Sequence, residues 1–195
     1  MIDQKKLDEL AHKYPKDVVL YQQDLKTLMK LPGRIPGEFD LQLLDFLKIT
    51  NGASILDYRF YGFKNILFTP SFDQNLKDKW YEWQHIAGVI VPFMGSSTNI
   101  GFGYLKEVTF KGGHPIVYFS EFPEDTSVVA SGFDVFFNDF LYNVEASLAF
   151  GNNIEIDLDD WPFNVEKAKE KDPLLLEVLM SDVVKRTIDL IKKSW

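Results

Sequence analysis

A chain of 195 residues with no cysteine and a formal net charge of −8 leaves out several classes of protein at once. Disulfide scaffolds and cysteine-based zinc sites are excluded, and an acidic surface repels nucleic-acid phosphates and anionic lipid headgroups while attracting basic partners. The size suits one domain with an appendage and buries roughly 70% of the unfolded surface, so neither a metal nor a cross-link is needed to hold a core.

The first residues, Met1-Ile-Asp-Gln-Lys-Lys, are charged and lack an apolar stretch, which predicts no signal peptide. No apolar run approaches the ~18 residues of a transmembrane helix. A cytoplasmic protein without membrane or nucleic-acid contacts is expected. Residues 3–13 form an amphipathic helix with Leu7, Leu10 and Ala11 inward, and a second helix is predicted over 18–30 from Val18, Tyr21, Leu25, Leu28 and Met29. After Pro32-Gly33 and Pro36-Gly37, a helix runs from Pro36 to Thr50 on the stripe Phe39, Leu43, Phe46, Leu47. Gly52 is placed to take the left-handed conformation that closes it. Ala53–Phe63 reads as a strand, with a short further piece at 66–68.

A helix over 73–85 carries Leu76, Trp80 and Trp83, and Gly88–Met94 is a strand that Pro92 confines to a sheet edge or a bulge. Strands at 100–105 and 108–110 follow, with a hairpin turn at Lys111-Gly112-Gly113. Pro115–Phe122 has no polar face, so it is expected to be a central strand covered on both sides. After a polar loop, Ser131 caps a helix whose Phe133, Phe136, Phe137, Phe140, Leu141 and Val144 recur at i, i+3, i+4, i+7, i+8, i+11. Such a stripe must pack on the sheet. Closely spaced strands with glycine turns favour antiparallel pairing. The fold class is α+β: a single mainly antiparallel sheet with helices against it over residues 1–150, plus a C-terminal helical extension, 151–195, docked on the same domain. In that extension a charged helix is predicted over 163–171. The last helix starts at Asp172-Pro173, with Leu176, Leu179, Met180, Val183, Ile188 and Ile191 facing the core.

Candidate chemistry is sparse. His12, His85 and His114 are far apart and lack ligand spacing, so no metal and no cofactor is expected. His114 has a turn role, and His85 a cap or solvent role. Gly95–Asn99 has neither the G-x-S-x-G elbow nor a P-loop lysine and is explained by turn chemistry. Glu121, Glu124 and Asp125 crowd the loop after the central strand. Glu155, Asp157, Asp159 and Asp160 form the densest negative run, without the glycine and closing glutamate of a calcium loop. Tyr81 lies off the Trp80/Trp83 face, as an exposed anchor would.

Four segments in order resemble the SMI1/KNR4 (SUKH) superfamily. They are Ile35-Pro-Gly-Glu-Phe39 leading to Leu47-Lys-Ile-Thr-Asn-Gly52; Val91-Pro-Phe93; Asn99-Ile-Gly101 with Gly103-Tyr104; and Pro115-Ile-Val-Tyr118 followed by Ser131–Phe137. Ile35 stands where the family usually has Leu, and Gly95–Asn99 lacks its frequent acidic residues. The resemblance spans about residues 15–148. It implies a non-catalytic immunity protein that neutralises a cognate toxin, often a nuclease. Because nuclease sites are basic, a carboxylate-rich surface can compete for them and speed capture. Glu121, Glu124, Asp125, Asp157, Asp159 and Asp160, with Tyr81, are the expected partner-binding residues of a monomer or weak homodimer. Two alternatives stand beside this reading: a regulatory or scaffold protein with several partners, and a carboxylate-based hydrolase using Glu121, which requires the acids to line a closed pocket.

Overall fold

The computed structural model describes residues 1–22, 38–63, 71–150 and 170–194. Its frame is one seven-stranded sheet in which every strand pairs antiparallel with the next in sequence. The strands are β1 (Val18–Leu20), β2 (Ala53–Ile55), β3 (Tyr58–Phe60), β4 (Ile90–Ser96), β5 (Gly101–Leu105), β6 (Ile116–Phe119) and β7 (Ser127–Ala130). The described α-helices are α1 (Gln4–Lys13), α2 (Leu41–Ile49), α3 (Phe72–Glu82), α4 (Phe133–Ala149), α5 (Leu175–Met180) and α6 (Asp182–Lys192). The fold is α+β, and the C-terminal helices are docked on the sheet.

Helices α1, α2 and α4 cover one face. Leu7 and Leu10 of α1, Leu43, Phe46 and Leu47 of α2, and the whole aromatic stripe of α4 share a core with Phe60, Phe93, Phe102 and Ile116 of the sheet. Phe46 sits 4.8 Å from Phe137 and 5.4 Å from Phe60, ring centre to ring centre. Tilted and edge-on pairs of this kind add about 0.5–1.5 kcal/mol each beyond area burial. The opposite face is smaller. There Ile90, Leu105, Val117 and Phe119 meet Trp83, Ile86, Val178, Val184 and Ile191. Alternation along β6 divides the two cores, with Ile116 on the first and Val117 and Phe119 on the second. Gly101 is required on this second face because any Cβ there would lie 2.5 Å from the Phe119 ring.

Several expectations are corrected. Val18–Leu20, predicted to open a helix, is the edge strand β1, because pairing with β2 supplies its backbone partners; residues 23–30 of that predicted helix lie outside the described residues. The predicted strand over 53–63 is a hairpin, turned at Leu56 with φ of 52°. Helix α2 starts at Leu41, with the Asp40 carboxylate accepting the Leu43 N–H at 2.7 Å; Gly52 has the expected positive φ, 78°. Pro92 lies inside the sheet at an irregularity between Pro92 and Met94, so the bulge reading holds and the edge reading does not. Phe110 contributes only a bridge to Gly113 across the turn, not a strand. Residues 127–130, predicted as loop, are the edge strand β7.

The cap of α4 is also different. Gly132 occupies the cap position, and Ser131 is drawn instead to Asp172, which accepts its N–H at 2.6 Å and its hydroxyl at 2.7 Å. The predicted terminal helix is two helices broken at Ser181. Leu175, Val178, Val184 and Ile191 face the core, whereas Leu176, Met180 and Val183, expected inside, are exposed. The break rotates the second helix relative to the first, so no single stripe can serve both. Residues 66–68, and 163–169 of the charged helix, lie outside the described residues.

Candidate functional site

Strand β6 delivers the chain to an acidic loop. Its last residue, Phe119, meets the Trp83 ring edge-on at 5.4 Å, and Lys79 Nζ lies over that indole, 4.1 Å from the ring centre. The next residue, Ser120, is nearly buried and organises the loop. Its hydroxyl donates to Asp125 Oδ2 at 2.7 Å and accepts the Phe122 N–H at 3.0 Å. A 3-10 turn, Pro123–Asp125, closes the loop with Asp125 N–H on the Phe122 carbonyl. With the backbone held inward by these bonds, Glu121, Phe122 and Glu124 are exposed.

A second anchor comes from across the sheet. A 3-10 turn after α3, Gln84–Ile86, carries His85, whose Nε2–H donates to the Ser120 carbonyl at 3.1 Å. The carbonyl only accepts, so the ring carries its proton on Nε2. Burial pushes the His85 pKa below its usual value, against the opposing pull of the Ser120 bond and the nearby Glu124 charge. The ring is therefore neutral at neutral pH. On the other side of the loop, Tyr118 is pushed up, first by burial and then by the charge of Asp125.

Of the residues predicted to bind a partner, Glu121, Glu124 and Asp125 share this loop, with Asp125 tied to Ser120. Tyr81 stands exposed near the end of α3, two residues before the Trp83 that packs on Phe119. Asp157, Asp159 and Asp160 lie outside the described residues. No described basic residue forms an ion pair with Glu121 or Glu124. Sequence reasoning missed two parts of this surface. Phe122 was placed on a strand face but is half exposed in the loop. His85 was given a cap or solvent role, yet it is buried and pins the loop; its position two residues after Trp83 was the available signal.

Beside the loop lies a cavity of about 430 Å³ between the His85 turn, the ends of β4 and β5, and α6. His85, Val89 and Val108 line one side, and Thr187, Leu190 and Ile191 the other. Neither Glu121 nor Glu124 lines it. His114 is part of the framework elsewhere: its N–H donates to buried Asp40 Oδ2 at 3.1 Å and its Nδ1 lies 2.9 Å from the Leu105 carbonyl, which accepts. Burial raises the Asp40 pKa, against the lowering effect of the N–H groups it accepts. Among the described residues no group of three or more His, Asp or Glu side chains is placed to hold a metal, and no helix is long and apolar enough to cross a membrane. No protein-family model matches this chain, and no curated protein matches it at a significant level.

Proposed function

We infer that this chain is a protein-binding module that engages a basic partner through the Glu121–Asp125 loop, and that it acts as a SUKH-like immunity protein against a cognate toxin. The carrying observation is two exposed carboxylates, Glu121 and Glu124, with no described cationic partner, on a backbone fixed by Ser120 and His85. Pre-organised charge of one sign raises the encounter rate with a complementary patch and loses that advantage as salt screens it. Phe122 in the loop and Tyr81 near the end of α3 are exposed rings, and aromatic residues are enriched in protein interfaces. The hydrolase alternative required the acids to line a closed pocket, and their exposure outside the cavity weighs against it. The test is the association rate of the purified chain with candidate toxins, measured at rising ionic strength. A rate falling steeply with salt, and a shallower fall in the Glu121→Gln/Glu124→Gln variant, is expected. A salt-insensitive rate would remove the electrostatic reading.

A further inference from the structure

We propose that the two C-terminal helices form a strap that opens as one unit below the unfolding of the whole chain, and that the acidic loop loosens with it. The coupling stands whatever the loop binds. The strap consists of α5, α6 and the Asp172 turn before them, and its hold on the sheet is narrow. Its buried apolar side chains are Leu175, Val178, Val184 and Ile191, whereas α4 alone gives the opposite core Phe133, Phe136, Phe137, Phe140, Leu141 and Val144. The buried polar latch is one carboxylate, since Asp172 accepts the Ser131 N–H at 2.6 Å and its hydroxyl at 2.7 Å. The ion pairs Lys111–Glu177 and Lys171–Asp139 lie at the solvent-facing margin, where screening leaves little net gain. At six and eleven residues, α5 and α6 fall below the roughly 12–15 at which a helix persists without packing. Release therefore melts them together. Short elements with few buried contacts are the ones that open ahead of the global transition.

The loop follows the strap because α6 packs against both turns that fix it, Pro123–Asp125 and Gln84–Ile86. The second turn carries His85, whose Nε2–H donates to the Ser120 carbonyl, and Ile86 shares the smaller core with Ile191 and Val184. With α6 away, both turns lose the surface that buries them, and water competes for the Ser120 carbonyl. Coupling of this kind is reciprocal: whatever binds the ordered loop favours the docked strap, and a docked strap favours the ordered loop.

The test is native-state hydrogen exchange of the full chain, read amide by amide by NMR. The strap reporters are Val178 N–H, bonded to the Leu174 carbonyl at 3.0 Å, and Lys185 N–H, bonded to the Ser181 carbonyl at 3.0 Å. The loop reporters belong to two buried residues: Thr126 N–H on the Pro123 carbonyl and Ile86 N–H on the Trp83 carbonyl, both at 3.1 Å. All four are expected to be less protected than the amides of α4. Asp172→Ala orphans two buried donors that opening would hydrate, so it should lower strap and loop protection by one common factor, at least about tenfold. Val178→Ala keeps the latch, removes only apolar contact and should act in the same direction. Ser120→Ala, made in the loop, should lower the strap reporters together with the loop reporters. Val144→Ala, in the opposite core, should lower the protection of α4 and leave the other two groups unchanged, because the strap opens with that core intact. A Val144→Ala effect on the strap as large as on α4 overturns the separate unit. Thr126 and Ile86 unmoved by both strap variants, or a strap unmoved by Ser120→Ala, overturns the coupling.

Discussion

On one face of the sheet, α1, α2 and α4 close over a continuous set of rings in which Phe46, Phe60, Phe93 and Phe137 are fully buried. On the other, two short helices broken at Ser181 lay Val178, Val184 and Ile191 on Val117 and Phe119, and leave a cavity at their border. The first face buries the larger set of rings. The second core is smaller, and its helices leave Met180, Val183 and Leu190 in solvent, as α2 and α4 leave Leu41 and Tyr142. The difference teaches how the two layers are divided: the ring-packed face sets the frame, and the smaller second core borders the cavity and the acidic loop, the surface proposed above to meet a partner.

Substitution can break this comparison at its strongest point. Phe137 contacts the rings of Phe46, Phe60, Phe133 and Phe140, so Phe137→Ala should cost about 3–5 kcal/mol in urea unfolding. Ile191→Ala on the second face should cost about 2 kcal/mol, because a side chain already bordering a cavity loses fewer neighbours. Equal losses would mean that the two faces are equally well packed.

The second largest effect tests the joint between the faces. Asp172 accepts the N–H and hydroxyl of Ser131 and the Leu174 N–H at 3.2 Å, tying the start of α5 to the turn that begins α4. Asp172→Ala leaves a buried N–H and hydroxyl without partners and should cost about 3 kcal/mol. Asp172→Asn, which keeps an acceptor, should recover part of it. A loss below about 1 kcal/mol would mean that the C-terminal helices are held by apolar contact alone.

A smaller effect is set by pH. Because burial lowers the His85 pKa, the unfolded chain holds a proton that the folded chain lacks between the folded value and the ordinary value of about 6.5. The contribution of the neutral ring is full above about pH 6.5 and is lost as pH falls below it through the folded value. Unfolding free energy should therefore drop between pH 7 and pH 5.5 more steeply in the native protein than in His85→Gln, whose side-chain amide still donates to Ser120. Identical slopes would show that the loop anchor does not titrate there. Smallest of all, Met180→Lys and Val183→Lys should change stability by no more than about 0.5 kcal/mol each, as exposed positions do. A large loss at either would place them in a buried contact.

The regular apolar spacing of some segments made them legible from sequence, but only where one partner face sufficed. The α4 stripe is read from spacing because all of its Phe residues meet a single sheet face. Val18–Leu20 is misread because three apolar residues suit either period, and only β2 supplies the hydrogen-bonding edge. Ser131 has the chemistry of a helix cap, yet a carboxylate 41 positions away competes for it successfully. The same limit applies to the site: Glu121, Glu124 and Asp125 are neighbours in sequence, so their shared loop was legible, while the His85 anchor and the cavity arise from segments distant in the chain.

Local composition and periodicity by themselves determined an acidic α+β chain with a meandering antiparallel sheet and an aromatic helix packed on it, because adjacent strands pair and a ring stripe has only one way to leave water. The tertiary structure alone decided which side of the C-terminal helices turns inward, which groups hold the acidic loop, and where a cavity remains. Those outcomes depend on contacts between distant segments, whose free energies exceed the local preferences that a sequence pattern records.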